Sequence, residues 1–272
     1  MLKIECRDPQ SVPQLTDALL NQFSYQPFEF PDGTVTGSGA ALVTRATRRV
    51  LRPDERDDLQ AASFLDCNKR LANMYEDFIS AMIDNTPSIE QSSYLDFACN
   101  AGYFCYRMLQ EGFKRSLGVD ARDHGPAFDY VRDAAGLNAE FKQSSYNMLT
   151  HTASSLGEVD EKFDWVSCIA FMCHSSDPQY LLTYLASMTR KGILIFTKIH
   201  RSDEYSINFG KESSRYFGGK FPICFDTSTS ISDSLLIFGL QELGFKRIVE
   251  VERKPYWILH PEWRCFYALR EE

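Results

Sequence analysis

"YLDFACNAGYF", residues 94–104, is the stretch on which the fold turns. Tyr94, Leu95 and Phe97 read as a short buried strand, and the "GYFCYRMLQEG" that follows has a helical pattern closed by Gly112. A strand running into a helix through a glycine-containing turn is where an α/β protein offers free backbone N–H groups to a ligand. A dinucleotide loop needs small residues at three fixed places, so that a pyrophosphate can approach the helix N-terminus. Here those places hold Ala98, Asn100 and Tyr103, and Gly102 is the one glycine. Asn100 would crowd a pyrophosphate and Tyr103 would obstruct close helix–strand packing. The loop therefore speaks against a nicotinamide dinucleotide, while a ligand without phosphates would be less constrained by it.

From Tyr94 onward, strand and helix patterns alternate, the signature of a doubly wound, mostly parallel sheet. The strands are "YLDF", "RSLGVD", "AEFKQS", "FDWVSCIAF", "GILIFTKI", "KRIVEVE" and "RCFYALR", seven in all, and the helices between them are led by "PAFDYVRDAAGL", "PQYLLTYLASMT" and "ISDSLLIFGLQELGF". Residues 1–90 are of another kind. "FEFPDGTVTGSG" has the alternation and the Pro31, Asp32, Gly33 punctuation of a turn or short hairpin. Arg45, Arg48, Arg49, Arg52 and Arg56 fall at helical steps before and around Pro53, either as a solvated face offset by Asp54, Glu55, Asp57 and Asp58 or as a phosphate-binding patch. In "SFLDCNKRLANMYEDFISAMIDNTP", Phe64, Cys67, Leu71, Met74, Tyr75, Phe78, Met82 and Ile83 form the stripe of an amphipathic helix. The expected organisation is an N-terminal helical lid over 1–90 and a ligand-binding domain over 91–272.

Composition narrows the function classes. No apolar run reaches membrane-spanning length and the N-terminus lacks the pattern of a signal peptide, so a cytoplasmic protein is expected. The eight cysteines lie in apolar segments without a C-x-x-C pair, which fits reduced, buried thiols and no metal site. A formal charge of −8 and a pI near 5.2 argue against a broad basic face, so nucleic acid is not the expected partner.

"LDFACNAGYF", then "GVD", then "FDWVSCIAFMCHSSDP" resemble, in order and spacing, the class I S-adenosylmethionine-dependent methyltransferases. The resemblance implies a Rossmann-like fold and S-adenosylmethionine as cofactor. Where that family has an acid and three spaced glycines, this chain has Asp96, Ala98, Asn100 and Gly102; alanine is small, and asparagine tolerates left-handed backbone angles. By the resemblance, Asp96 orders the loop and receives the cofactor's ammonium end, and Gly102 and Tyr103 let backbone pass close to it. Asp120 accepts the ribose hydroxyls, Ala121 and Arg122 flank the adenine, and Ser145, Tyr146 and Ile169 complete the pocket. Each also has a plainer role open to it: a strand-end aspartate caps the next helix, and Tyr146 is core.

Methyl transfer to a hydroxyl calls for alignment and a base of near-neutral pKa. His174, beyond the fourth strand, and His200, after the fifth, are the candidates, with Asp203 or Glu204 beside the latter. His124, His151 and His260 read as surface or loop residues. "YRMLQEGFKRSLGVD" and "FGLQELGFKRIVEVE" resemble the branch that contains wobble-uridine tRNA alkyltransferases, one of which transfers a carboxymethyl group from a carboxylated cofactor. Such a ligand needs a cation, for which Arg264 stands as a candidate. The acidic charge favours a small-molecule acceptor, such as a sugar or natural-product hydroxyl, over tRNA. A noncatalytic scaffold on the same fold is the third possibility.

Overall fold

The computed structural model describes residues 1–8, 14–37, 50–55, 59–143, 146–147, 152–153, 161–211 and 227–270. The chain opens with β1 (Leu2–Lys3), α1 (Asp17–Phe23), β2 (Phe28–Glu29), β3 (Val35–Thr36), β4 (Val50–Leu51) and the long α2 (Leu59–Ile83). Then come β5 (Ser93–Phe97), α3 (Tyr103–Gln110), β6 (Arg115–Asp120), α4 (Gly125–Ala135), β7 (Glu140–Gln143), and a small pair, β8 (Tyr146–Asn147) and β9 (Thr152–Ala153). The remainder is β10 (Phe163–Ile169), a 3₁₀ turn (Met172–His174), α5 (Pro178–Ser187), β11 (Thr189–His200), β12 (Ile207–Lys211), β13 (Thr227–Ser232), α6 (Asp233–Glu242), β14 (Arg247–Glu250) and β15 (Trp263–Leu269).

The seven strands expected from sequence lie side by side. β7, β6, β5, β10 and β11 are parallel neighbours, β15 runs antiparallel on β11, and β14 antiparallel on β15. Two more strands raise the sheet to nine. β11 is twelve residues long, so that Gly192–Lys198 pair with β15 while Ile199 and His200 reach past it to β13, which carries β12 on its other edge. "TSTSIS", the sequence of β13, looks like loop because its hydroxyl residues carry no apolar alternation. Ile231 and Ser232, which the pattern assigned to the following helix, end this strand, and the Ser232 hydroxyl caps α6 by accepting from Leu235 N–H.

Side chains alternate across the sheet as the pleat demands. Leu95 and Phe97 of β5 pack in the core against α5 and α6, whereas Tyr94 faces the core shared with α2, α3 and α4. Trp165, wholly buried in that second core, donates from its indole N–H to the Thr86 hydroxyl at the end of α2. The α2 stripe is where the periodicity puts it: Phe64, Cys67, Leu71, Met74, Phe78 and Met82 are all buried.

The N-terminal region differs from a purely helical lid. Its β1 to β4 form a four-stranded sheet, and "FEFPDGTVT" is indeed a hairpin, with Gly33 left-handed at its turn. Leu2, Ile4, Leu20, Phe23, Phe28 and Phe30 lie in one continuous core with Tyr103, Phe104 and Tyr130. The helix expected to carry the arginines does not include Val50 and Leu51, which are strand; Arg52 pairs with Asp17, and Arg45, Arg48, Arg49 and Arg56 lie outside the described residues. Among the described residues no helix is long and apolar enough to cross a membrane.

Candidate functional site

The carboxyl ends of β5, β6 and β10 meet at the turn after β5. Ala98 (φ 63°), Asn100 (φ 50°) and Gly102 (φ 84°) are all left-handed, so the backbone takes at 98 and 100 a path that favours glycine, with an alanine and an asparagine in place. The turn is stapled to β6: Cys99 N–H donates to the Val119 carbonyl at 3.1 Å and Asn100 N–H to the Asp120 carboxylate at 2.9 Å. Gly102 has no room for a side chain, because a Cβ there would lie 2.5 Å from the Phe128 ring. Ile169, the last residue of β10, packs partly buried against the α2–α4 core, and Ala170 after it is a third left-handed non-glycine, at φ 57°.

Asp120 ends β6 with its carboxylate 1% exposed. It accepts from Asn100 N–H, Arg122 N–H, Arg122 Nε and Arg122 Nη2, at 2.9, 3.0, 3.1 and 3.2 Å. A carboxylate offers about four acceptor positions, and here all are taken, two of them by backbone and two by a movable side chain. Burial pushes the carboxyl up, but the Arg122 charge and hydrogen bonds outweigh it and hold it below the ordinary aspartate value. The Arg122 guanidinium also reaches Asn100 Oδ1 and lies 5.7 Å above the Tyr25 ring. Ala121, beside it, accepts from the Gln143 amide at 3.2 Å.

Asp96 behaves oppositely. It is 2% exposed and accepts from Ser167 Oγ at 2.7 Å, and Tyr94 OH stands 2.6 Å from the same serine oxygen. Burial raises its pKa to about 7, the Ser167 hydrogen bond pulling down and the Asp120 charge pushing further up. Two carboxylates with pKa values driven apart share one end of the sheet, an arrangement typical of functional sites.

The N-terminal region supplies contacts that no pattern announced. Gln26, 5% exposed, donates to the Cys99 carbonyl at 3.2 Å and accepts from Tyr103 N–H at 3.3 Å, spanning the turn and satisfying the first amide of α3. Thr36 Oγ1 donates to the Gln26 carbonyl, and Asn68 of α2 donates to the Thr36 carbonyl. Tyr103 itself points away from the turn, into Phe28, Tyr75 and Phe104. Its bulk is accommodated there rather than against the strand.

Of the remaining candidates, His174 ends the 3₁₀ turn beyond β10, part-exposed, with its ring edge-on to Phe171. His200 is engaged at both ring nitrogens, by Ser230 Oγ at 3.1 Å and Ser206 Oγ at 2.9 Å. Arg264 is paired with Glu250 at 2.5 Å. Ser145 lies outside the described residues, and Tyr146 is described only as the backbone of β8. His260 is exposed and His151 is not described, but His124, expected at the surface, is 4% exposed and stands 4.0 Å from Asp120. Its burial follows from the close approach of α4 and β7, a tertiary event with no local signal. A cavity of about 500 Å³ lies further along α4 and β7, rimmed by the Arg115, Glu140 and Glu161 ion pairs.

Residues 67–242, well over half of the chain, match the model of a methyltransferase-domain family. The tRNA U34 carboxymethyltransferase of Campylobacter jejuni subsp. jejuni serotype O:23/36 (strain 81-176) is 28% identical over 121 residues, which are 44% of this chain and 39% of that protein. The same enzyme of Cellvibrio japonicus (strain Ueda107) is 24% identical over 201 residues, 66% of this chain and 59% of the relative. The chain thus aligns with about two fifths of the first relative's length. Among solved structures, magnesium protoporphyrin IX methyltransferase of Synechocystis PCC 6803 with bound SAM superposes with a TM-score of 0.51 at 14% identity, covering 76% of this chain and 82% of that one. The N-terminal domain of EvdMO1, in the presence of SAH and D-fucose, gives 0.51 at 18%, covering 71% and 80%. These two likenesses concern the fold.

Proposed function

The chain belongs to the S-adenosylmethionine-dependent methyltransferase family, and on that premise we propose that it methylates a small-molecule acceptor at the β5, β6 and β10 strand ends. The residues present fit the cofactor. The buried Asp120 carboxylate can accept two ribose hydroxyls once the Arg122 side chain yields its two positions, and the left-handed 98–102 turn brings backbone close to the ligand. Asp96 would meet the ammonium end, with Ala98, Asn100, Gly102 and Tyr103 forming the turn. Ala121, Arg122, Ser145, Tyr146 and Ile169 would surround the adenine. The region 1–90 acts as the cover, Gln26 holding the turn from above.

When bound, the cofactor supplies an electrophilic methyl on a sulfonium sulfur. The protein's part is to align an acceptor lone pair in line with the carbon–sulfur bond and to exclude water. For a hydroxyl acceptor a proton must also leave as that bond breaks. His174, at the end of the 3₁₀ turn beyond β10, is the residue we assign to take it or to orient the acceptor. His200, held between Ser206 and Ser230, is assigned to shaping the wall, since both ring nitrogens already have partners.

The pairing of arginines with carboxylates among the described residues is the observation that supports a small acceptor. Arg107 pairs with Glu76 and Glu111, Arg115 with Glu140 and Glu161, Arg132 with Asp129 and Asp133, and Arg201 with Asp233 and Glu250. Arginines already balanced by carboxylates, in a chain of formal charge −8, release few counterions on a phosphate backbone. The second reading, carboxymethyl transfer to tRNA, is favoured by the relatives' names.

Calorimetric titration with S-adenosylhomocysteine, beside Asp120→Ala and with tRNA at two salt concentrations, tests these assignments. We expect micromolar-range binding by the wild type, a loss of at least tenfold in the variant, and no tRNA heat at either salt. Unchanged binding by Asp120→Ala would overturn the site, and salt-dependent tRNA binding would shift the acceptor to the second reading.

A further inference from the structure

Among the described residues, His124 is the histidine that lies beside Asp120, where the sequence gives no reason to expect it. It is 4% exposed, and neither Nδ1 nor Nε2 has a hydrogen-bond partner among the described residues. The ring stands edge-on to Phe141 of β7, and Nε2 is 4.0 Å from Asp120 Oδ1, too long for a direct bond. A buried polar group left unpaired costs about 1–3 kcal/mol, so a ring with two such nitrogens calls for a partner beyond the described residues, and a ligand bound at Asp120 is placed to supply one.

The hydroxyl arithmetic says what that partner is. Two of the four acceptor positions on Asp120 belong to backbone amides, which stay, and two to the Arg122 side chain, which is 36% exposed and can withdraw. A diol arriving there donates both protons to Asp120 and keeps its oxygen lone pairs for a donor. A neutral imidazole presents one N–H, and burial keeps His124 neutral, its pKa lowered to about 4 against the pull of Asp120.

We propose that His124 binds the cofactor's ribose, its ring N–H donating to a hydroxyl that itself donates to Asp120. The assignment rests on the placement of the cofactor proposed above. It makes the ribose subsite a three-part device: Asp120 as acceptor, His124 as donor, and Arg122 as the side chain that fills the subsite in the ligand's absence.

The test is calorimetric titration of wild type, His124→Phe and Asp120→Ala with S-adenosylhomocysteine and with its 2′-deoxy and 3′-deoxy analogues, together with ligand-free melting temperatures. His124→Phe keeps the ring packed on Phe141 and removes both nitrogens. We expect about tenfold weaker binding of S-adenosylhomocysteine, the equivalent of one hydrogen bond near 1.4 kcal/mol, with no further loss for the analogue that lacks the partner hydroxyl. The ligand-free melting temperature should be equal or higher, since no native contact of the nitrogens is lost. Wild-type affinity in His124→Phe, or an equal loss for all three ligands with a lowered melting temperature, would overturn the proposal and make the ring structural. If Asp120→Ala also binds as the wild type does, the site itself is misplaced. Should His124→Phe fail to fold, His124→Leu carries the same comparison.

Discussion

At the scale of single residues, the two strand-end carboxylates were legible in the sequence, because each is an acid set at the end of an otherwise apolar strand, just before a turn. Their opposite environments were not legible. Asp120 is surrounded by donors, whereas Asp96 accepts from the Ser167 hydroxyl and lies deep enough for its pKa to reach about 7. The folded value lies above the unfolded one, so the native state keeps a proton that the unfolded chain releases. Asp96 therefore removes stability as pH rises from about 4 to about 7. His124, lowered to about 4, works in the opposite sense over roughly pH 4 to 6.5, gaining stability as pH rises. The difference between wild type and Asp96→Asn isolates the first effect: urea unfolding should show the variant more stable at pH 8, by roughly 2–4 kcal/mol at 1.36 kcal/mol per pKa unit, and the gap should narrow at pH 5. An ammonium seated beside Asp96 favours the carboxylate, so S-adenosylhomocysteine should bind the wild type more tightly up to about pH 7 and then level off. A flat pH profile in the wild type, or a gap between the two proteins that does not change with pH, would remove Asp96 from both roles.

At the scale of elements, the seven main strands follow from apolar runs bounded by turns, but β12 and β13 do not: the serines and threonines of β13 are recruited by the overhang of β11 past β15, and β12 pairs in turn on β13. The turn after β5 shows the same limit. The alanine at 98 and the asparagine at 100 are visible in the sequence, yet only the structure gives them left-handed angles of 63° and 50°. Alanine in that region carries about 1–2 kcal/mol of strain, partly offset by the extra freedom glycine has when unfolded. Ala98→Gly should accordingly gain about 0.5 kcal/mol, and Asn100→Gly should be near neutral, since asparagine tolerates the angle and its side chain accepts from Arg122. Gly102→Ala combines a φ of 84° with a Cβ 2.5 Å from Phe128 and should lose more than 2 kcal/mol. Chemical denaturation of the three variants checks the order; a destabilised Ala98→Gly would mean that the turn relies on a side chain at 98.

At the scale of the whole molecule, the sequence divides near residue 90 where the structure does not. Composition changes there, which is what a reader of one dimension sees, but the aromatic side chains on either side of the boundary share one core. Phe28 packs on Tyr103 and Tyr106 with ring centroids 5.7 and 6.2 Å apart, Phe23 and Phe30 on Tyr130, and Tyr75 and Phe78 on Phe104 and Phe196. A relay of hydrogen bonds from Asn68 through Thr36 and Gln26 ends on the turn at Cys99 and Tyr103. Removing residues 1–87 would uncover that aromatic face, each large ring being worth about 3–5 kcal/mol when lost from a core, against a total stability of about 5–15 kcal/mol for a domain. A fragment of residues 88–272 should therefore keep helical and strand signals in far-ultraviolet circular dichroism, lose its near-ultraviolet signal, bind a hydrophobic dye, and show no heat with S-adenosylhomocysteine. If instead the fragment melts cooperatively and binds with wild-type affinity, the N-terminal region is an appendage, and the Gln26 contact is dispensable to the turn it spans.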